Sequence, residues 1–148
     1  MRGQPDMETI VRDLGGDPLD LPFWQACGEG RFLLHRCGVC RRHYWPASRC
    51  VRHGAQNMAW VEGSGRGTLY TYTVIHHAYT ASMKGRVPYV VGVIQLDEGP
   101  FFHSNVVGCP LERLAVGQPL RATMIEHESG LVVPVFRPIA LVGDHSQT

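Results

Sequence analysis

The 148-residue sequence has little lysine, no long apolar run and modest charge, and each shortage excludes a class of protein. Lys84 is its single lysine beside thirteen arginines, and the formal net charge is +1. Proteins that hold nucleic acid or anionic lipid over a whole surface are far more basic. No apolar stretch approaches the ~20 residues that a membrane-spanning helix needs. We therefore expect neither a nucleic-acid partner nor a membrane segment.

The sequence also lacks a disulfide framework. It has five cysteines, an odd number, of which Cys27 and Cys109 stand alone in the sequence while the other three are closely spaced. Paired cysteines at regular spacing mark small secreted domains, and an apolar leader marks export. Neither feature is visible, so a reducing cytoplasm is the expected location.

A catalytic constellation is missing as well. Covalent acyl transfer needs a cysteine with a nearby base and an oxyanion hole. Neither Cys27, among apolar residues, nor Cys109, which precedes Pro110, has a sequence context that names a base. The glycine-rich run 63–67 lacks the Gly-Lys-Ser/Thr ending of a phosphate loop, so it is interpreted as a hinge. We expect no catalysis from this chain alone.

The most informative stretch lies between Cys37 and His53. It contains Cys37 and Cys40, nine intervening residues, and then Cys50 and His53 followed by Gly54. Two short ligand pairs joined by a hairpin can close a tetrahedral zinc site, and four protein ligands make such a site structural. The sequence therefore predicts one Zn²⁺ bound by Cys37, Cys40, Cys50 and His53.

Two features leave the identity of this site open. His35 and His43 lie close in sequence, and either could replace His53 as the fourth ligand. A four-cysteine ribbon would have cysteine at position 53 and often glycine after the first pair, where this chain has Arg41. The alternative is a set of buried or free thiols with a surface histidine and no metal.

Four segments are expected along the chain. Residues 1–22 form a helical arm, with a helix over 7–14; residues 23–60 form the zinc ribbon, 61–143 the barrel and 144–148 a tail. A short helix capped by Asp20 should carry Phe23 and Trp24, and Gly28 should end it. A strand over 31–36 leads into the first cysteine pair, and Tyr44-Trp45-Pro46 forms the return.

From residue 68 onward the sequence is rich in β-branched and aromatic residues. Strands are predicted over 68–77, 88–96, 100–107, 120–127 and 131–139, with a short interruption after the third. His76 and His77 end the first strand on opposite faces. Five strands with an insertion between the third and fourth are typical of an OB-fold barrel. The fold class is therefore mostly β: a rubredoxin-like zinc ribbon with short N-terminal helices, followed by a five-stranded OB-fold barrel.

The order of these motifs resembles the zinc-ribbon/OB-fold family associated with acyl-CoA metabolism, over about residues 20–140. The matching segments are Phe23-Trp24, Arg36-Cys37-Gly38-Val39-Cys40, Tyr44-Trp45-Pro46, Trp60, the run from Ser64 to Val74, Pro88-Tyr89-Val90-Val91, Leu96-Asp97-Glu98-Gly99, Val116-Gly117-Gln118-Pro119 and Phe136-Arg137-Pro138. His53 departs from the family, which often has a fourth cysteine there.

The resemblance implies a helper role. Members of this family are small subunits or fused domains beside thiolases, thiolase-type aldolases, acetyltransferases and MaoC-type hydratases, and the benzoylsuccinyl-CoA thiolase has such a subunit. The partner carries the nucleophilic cysteine, and the small subunit shapes the complex and part of the acyl-CoA entrance. The expected function is a non-catalytic accessory subunit docked on a thiolase-type acyl-CoA enzyme, as a hetero-oligomer.

Two other functions stay open at this point. The chain could be a stand-alone acyl-CoA-binding module, or a nucleic-acid-binding OB-fold protein whose aromatic residues stack on bases. For the aromatic residues concerned, packing in the barrel core and hairpins is the expected role. They are Tyr70, Tyr72, Tyr89, Phe101 and Phe102.

The docking hypothesis depends on the arm and the ribbon. Six arginines fall in the ribbon region, and the arm has apolar residues but too short a helix to be stable alone. Phe23, Trp24 and Trp45 are large apolar groups of the kind that interfaces favour. The alternative for Phe23 and Trp24 is that they cover the junction between ribbon and barrel.

Overall fold

The computed structural model describes residues 6–139, so residues 1–5 of the expected arm, the last residues of the expected barrel segment and the tail lie outside it. Within that range two short helices precede eight strands in two sheets. The helices are α1 (Met7–Asp13) and α2 (Leu21–Gly28). The strands are β1 (Leu33–Cys37), β2 (His43–Tyr44), β3 (Met58–Glu62), β4 (Arg66–Ile75), β5 (Tyr89–Leu96), β6 (Phe101–Val106), β7 (Pro119–Glu126) and β8 (Val132–Pro138).

The N-terminal helix packs on the chain's own fold. It begins after Asp6, whose carboxylate accepts a hydrogen bond from the Thr9 N–H at 2.8 Å. Val11 is only 2% exposed, whereas Met7 and Ile10 are half-buried and Leu14, just after the helix, is 56% exposed. Helix α2 forms as predicted, although the Asp20 side chain makes no capping hydrogen bond. No helix within residues 6–139 is long and apolar enough to cross a membrane.

The N-terminal sheet has the order β2-β1-β3 and is antiparallel. Strand β3 is absent from the sequence prediction, yet it pairs with β1 along its full length, from Leu33 opposite Glu62 to Cys37 opposite Met58. The predicted return after Cys40 supplies only the two-residue β2. Strand β3 escaped prediction because its side chains are half-buried or exposed and show no strict alternation.

The C-terminal sheet is a closed five-stranded barrel with the order β4-β5-β6-β8-β7, in which β7 also pairs with β4. All neighbouring pairs are antiparallel except β6 and β8, which run parallel. A 3-10 turn, Leu111–Arg113, lies between the third and fourth barrel strands. This is the OB-fold arrangement, and it confirms the predicted fold class.

Several predicted positions in the barrel are wrong. Strand β4 ends at Ile75, so His76 and His77 lie in the following loop and are both exposed rather than on opposite faces of a strand. Tyr70 and Phe101 are 57% and 43% exposed and pack against each other outside the barrel, with ring centroids 5.0 Å apart. They are therefore not core residues; Phe102 is, at 5% exposed.

One continuous apolar cluster joins α2, the N-terminal sheet and the barrel. Phe23 is fully buried, and its ring centroid lies 4.1 Å from that of Trp45, 5.7 Å from Phe32 and 6.1 Å from Phe102. Phe102 lies 5.9 Å from Phe136 in the barrel. Phe23 therefore covers the junction of the two sheets and is not available to a partner.

The glycine-rich connection between the sheets is short and fixed. Only residues 63–65 separate β3 from β4. The Glu98 carboxylate accepts hydrogen bonds from the Ser64 N–H at 2.6 Å and from the Ser64 hydroxyl at 3.1 Å. Gly65 has φ +70°, a left-handed conformation that glycine adopts without steric cost. The connection is thereby tied to the β5–β6 turn.

Candidate metal centre

The structure brings the four predicted ligands to one point. One ligand atom each from Cys37, Cys40, Cys50 and His53 lie within 4.8 Å of one another. The sulfur atoms of Cys40 and Cys50 are 3.7 Å apart, and His53 Nδ1 lies 3.6 Å from the sulfur atoms of both Cys37 and Cys50.

These distances match those around a tetrahedral ion. With Zn–S bonds of about 2.3 Å and a Zn–N bond of about 2.0–2.1 Å, tetrahedral geometry separates two sulfurs by about 3.8 Å and a sulfur from a nitrogen by about 3.6 Å. Thiolate and imidazole are also the ligand types that zinc prefers. The cluster could therefore hold a metal ion such as zinc.

Two tight turns present the ligands. In the first, the Arg41 N–H donates to the Cys37 carbonyl oxygen at 2.8 Å, and Arg41 has φ +63°. In the second, Cys50 and Gly54 exchange two backbone hydrogen bonds of 3.0 Å, and Gly54 has φ +68°. Both turns require a left-handed residue, and only the second uses glycine for it.

Hydrogen bonds to the Cys50 sulfur favour its thiolate form. The Tyr44 hydroxyl donates to Cys50 Sγ at 3.4 Å, and the Arg52 N–H does so at the same distance. Chiefly through the tyrosine hydroxyl, the pKa of Cys50 falls to about 5. Tyr44 itself is held by the Val51 N–H, which donates to its hydroxyl at 3.2 Å. Sequence reasoning used Tyr44 only as part of the hairpin return.

The two alternative histidines lie outside the cluster. His35 is 6% exposed, and its ring lies 3.6 Å from that of Trp60 between centroids. Burial lowers the pKa of His35, and its Nε2 has no hydrogen-bond partner. His43 lies on β2 and is half-buried. Of the three candidate histidines, the geometry therefore brings His53 to the three thiols.

The remaining two thiols, Cys27 and Cys109, lie outside the cluster. Cys27 is fully buried, and desolvation raises its pKa to about 12, so it behaves as a small apolar group. Cys109 contacts the Gln118 side-chain amide at 3.8 Å and the Pro110 carbonyl oxygen at 3.4 Å. Within residues 6–139, neither sulfur has a histidine or carboxylate as hydrogen-bond partner.

The turns around the cluster form a surface that is both apolar and basic, here named the ribbon tip. Val39 and Val51 are 56% and 74% exposed. Arg31, by contrast, forms ion pairs with Glu29 at 3.1 Å and Glu62 at 2.8 Å, so it does not belong to this patch. The remaining five ribbon arginines are exposed and, among residues 6–139, have no ion-pair partner: Arg36, Arg41, Arg42, Arg49 and Arg52.

A groove of about 620 Å³ separates the ribbon from the barrel. We call it the ribbon–barrel groove. Its polar and aromatic lining includes two histidines, one on each side, and an exposed phenylalanine. It is lined by Arg42, His43, Tyr44, Trp45 and Pro46 on one side and by Glu98, Gly99, Pro100, Phe101 and His103 on the other.

Comparison with known proteins agrees with this architecture. Residues 60–124 match the family described as "ChsH2, C-terminal OB-fold domain". A DUF35 domain-containing scaffold protein of Methanocaldococcus jannaschii is 31% identical over 117 residues, covering 76% of this chain and 81% of that protein. A probable enoyl-CoA hydratase alpha subunit of Thermomonospora curvata is 33% identical over 121 residues, covering 80% of this chain but 37% of the relative, so the chain spans just over a third of that protein.

Among solved structures, a chain of the "Ltp2-ChsH2(DUF35) aldolase" is similar with a TM-score of 0.72 and 27% identity, covering 93% of this chain and 98% of the other. The similarity therefore includes the cysteine-bearing sheet as well as the barrel. The chain belongs to the DUF35 family, and its barrel is of the type found at the C-terminus of ChsH2.

Proposed function

We propose that this chain is a non-catalytic accessory subunit that docks on a thiolase-type acyl-CoA enzyme and helps to shape its acyl-CoA site. The main support is the similarity over nearly the whole chain to the DUF35 component named in the Ltp2-ChsH2 aldolase. The relative named a scaffold protein and the relative named a hydratase alpha subunit point the same way. The settings of Cys27 and Cys109 agree with a chain that leaves the chemistry to its partner.

The proposed role of the metal centre is structural. Cys37, Cys40, Cys50 and His53 would hold one Zn²⁺ with four protein ligands, which leaves no position for an activated water. The ion would supply folding free energy to the ribbon tip and so fix the surface that a partner meets. Because the site needs three reduced thiols, we keep the reducing cytoplasm as the proposed location.

The ribbon tip is the proposed docking surface. It combines exposed valines with guanidinium groups that have no ion-pair partner among residues 6–139, and apolar residues with arginine are what interface centres favour. Two parts of the sequence hypothesis are changed by the fold, because Phe23 and, on α1, Val11 are buried inside the chain. We therefore assign docking to the turns around the cluster rather than to the arm.

The ribbon–barrel groove is the part of this chain that we propose to face the acyl-CoA. Arg42 and the imidazoles of His43 and His103 offer donors to phosphate oxygens, and the exposed Phe101 offers a stacking surface. The same groove is what a stand-alone acyl-CoA-binding module would use. The two functions differ in whether a partner enzyme is needed for binding.

Co-expression with thiolase-type enzymes encoded beside this chain tests the proposal. The wild-type chain should co-purify with its partner as a hetero-oligomer, and the double charge reversal Arg41→Glu with Arg42→Glu should weaken the complex at least about tenfold. The matched control reverses two exposed cations away from the ribbon, Lys84→Glu with Arg113→Glu. Zinc content and melting temperature show whether each variant remains folded.

Two outcomes would contradict the docking proposal. A charge reversal at the ribbon tip that leaves complex formation unchanged would remove the ribbon tip as the docking surface. A monomer that binds no thiolase-type enzyme but retains affinity for an acyl-CoA would favour the stand-alone module instead.

A further inference from the structure

Three arginines on neighbouring barrel strands lie directly opposite one another. Arg66 of β4 pairs in register with Arg121 of β7, and Arg121 pairs in register with Arg137 of β8. Directly opposite residues of antiparallel strands share a face and have Cβ atoms about 4.5–5.5 Å apart. The three side chains therefore form one line across three strands, about 10 Å long. We call it the arginine row.

The arginine row lies on the outer face of the barrel. Its three members are exposed, whereas Gly67, Leu120 and Phe136, each adjacent in sequence to one of them, are buried. Because successive side chains of a strand point to opposite faces, burial of the neighbours places the three guanidinium groups toward solvent.

Nothing in the described part of the chain neutralises these charges. Among residues 6–139 no carboxylate oxygen lies within 4.0 Å of a guanidinium nitrogen of the row, although Arg31 and Arg86 elsewhere have such partners. Asp97 is beside the row, because its N–H donates to the Arg66 carbonyl oxygen at 2.9 Å, but its carboxylate forms no ion pair there. Like charges directly opposite each other destabilise a sheet.

The far end of the row passes over a glycine. A Cβ atom added at Gly108 would lie 3.0 Å from Arg137 Nη1, and Gly108 has φ +70°. The Arg137 side chain therefore lies across the chain just beyond the end of β6, where a larger residue would displace it. This close approach extends the positive surface toward a fourth strand.

The shape of this surface favours a macromolecular partner of the protein class. Small phosphate ligands are normally enclosed in concave pockets, and five grooves among residues 6–139, the ribbon–barrel groove among them, have no member of the row in their lining. A nucleic acid would need phosphate contacts along a longer basic track. Guanidinium forks aligned on an open sheet face instead match the carboxylates of a protein surface.

We propose that the arginine row is a second docking surface, separate from the ribbon tip, and that it receives an acidic segment of a protein partner. The inference rests on the proposed function in one respect, namely that an accessory subunit must present surfaces to its assembly. The isolated chain keeps three facing cations, a destabilising arrangement that a partner's carboxylates would relieve.

A short polyglutamate peptide serves as the direct probe, with binding followed by fluorescence anisotropy at low salt. Arg121→Gln removes the central charge and should weaken peptide binding about fivefold, and Arg137→Gln should act in the same direction. Lys84→Gln, a matched loss of one exposed charge in the β4–β5 loop beyond the opposite end of β4, should leave the affinity unchanged. Equal affinity of the wild type and both arginine variants would overturn the inference.

Inorganic pyrophosphate distinguishes a phosphate site from a carboxylate site. If pyrophosphate binds the wild-type row more tightly than the peptide does and loses that affinity in Arg121→Gln, the row is a phosphate site and the proposal is wrong. A melting temperature measured in parallel controls for folding. Arg121→Gln should raise it by about 1–4 °C, because two like-charge pairs are removed.

The thiolase-type complex separates this inference from the proposed function. If the wild-type chain binds the enzyme and Arg121→Gln binds it with equal affinity, the arginine row is not a docking surface for that assembly, while the accessory role stands. If the wild-type chain binds no such enzyme but the peptide still binds through Arg121, the proposed function fails and the acidic-partner surface stands.

Discussion

The ribbon tip and the barrel achieve order by different physical means. The barrel closes on itself around fully buried side chains such as Leu69, Ile94 and Leu120. Between residues 37 and 57, by contrast, the only buried residues are Cys37 and Cys50, two of the candidate ligands. The barrel thus has an apolar interior, whereas the ribbon tip has no such interior and is organised around four candidate ligand atoms.

Strand β1 belongs to both regions. At its N-terminal end, β1 contributes Leu33 and Leu34 to the apolar cluster shared with the barrel. At its C-terminal end the same strand supplies Cys37 to the metal centre. We infer that loss of the ion should disorder one end of β1 and spare the other. The following predictions test that separation.

The largest effect is expected from removing a ligand. Cys40→Ser should abolish stoichiometric zinc binding and disorder the turns around the cluster, because zinc-binding free energies in small fingers reach about 10–16 kcal/mol and Trp45 is the one side chain of residues 37–57 that packs against the apolar cluster. The zinc content measured by metal analysis should fall below one zinc per chain. In NMR spectra, the amide signals of the ribbon tip should lose chemical-shift dispersion, while those of the barrel should be retained. Cys109→Ser is the matched control. A ribbon tip that stays ordered without zinc would show that its backbone hydrogen bonds suffice.

A cavity in the shared cluster should affect both regions together. Phe23→Ala should lower the free energy of unfolding by about 3–5 kcal/mol, measured by urea denaturation, because the ring contacts residues of both sheets. Phe101→Ala removes the same group at an exposed position and should cost much less. If Phe23→Ala loosened the N-terminal sheet alone, the two regions would be more independent than the aromatic contacts indicate.

The free energy of unfolding should fall at alkaline pH because of the buried Cys27 thiol. Burial raises the pKa of Cys27 from its ordinary 9.0 to about 12, so the unfolded chain ionises first and stability is lost as pH rises between these values. At about pH 10.5 the loss amounts to ~2 kcal/mol. Cys27→Ala lacks this dependence, so its deficit relative to wild type should shrink by that amount between pH 8 and about pH 10.5. A constant deficit would mean that Cys27 ionises in the folded state.

The smallest effect should be a gain. Arg41 has φ +63° in the first turn of the candidate metal centre, a conformation that costs a non-glycine residue about 1–2 kcal/mol. Arg41→Gly should stabilise the zinc-bound ribbon by about 0.5–1 kcal/mol, after the greater freedom of glycine in the unfolded chain is counted. Thermal unfolding at constant zinc concentration measures it. Arg42→Gly, next in the chain, should give no such gain.

The parts of the molecule that the sequence predicted are those governed by local chemistry. The ligand spacing identified the four residues that meet, and β-branched runs with turn residues identified five strands in OB-fold order. The glycine expected after Cys40 has a physical reason in the left-handed turn, which Arg41 here adopts. Each of these inferences needs only neighbouring residues or a fixed spacing.

The failures concern features decided by contacts between distant segments. Strand β3 exists because β1 lies beside it, and its sequence alone shows no clear alternation. Tyr70 and Phe101 have strong β propensity, but the face that each occupies depends on the register of pairing, which is irregular between Leu69 and Thr71. From the sequence, Phe23 and Val11 are candidates for contact with a partner. In the structure both are buried by segments that are distant in the sequence. The arginine row likewise appears only when the register of three strands is known.

The aromatic cluster at the junction also limits how the N-terminal sheet and the barrel can be fused to other polypeptides during evolution. Cutting the chain near residue 62 would expose Phe102 and Phe136 on one side and Phe23 and Phe32 on the other, which are among the most buried groups of the molecule. Fusion to a longer polypeptide therefore has to take the sheet and barrel together. The alignment with a hydratase subunit nearly three times the length of the matched segment, which covers 80% of this chain, has that form. We therefore expect the sheet and the barrel to be inherited together.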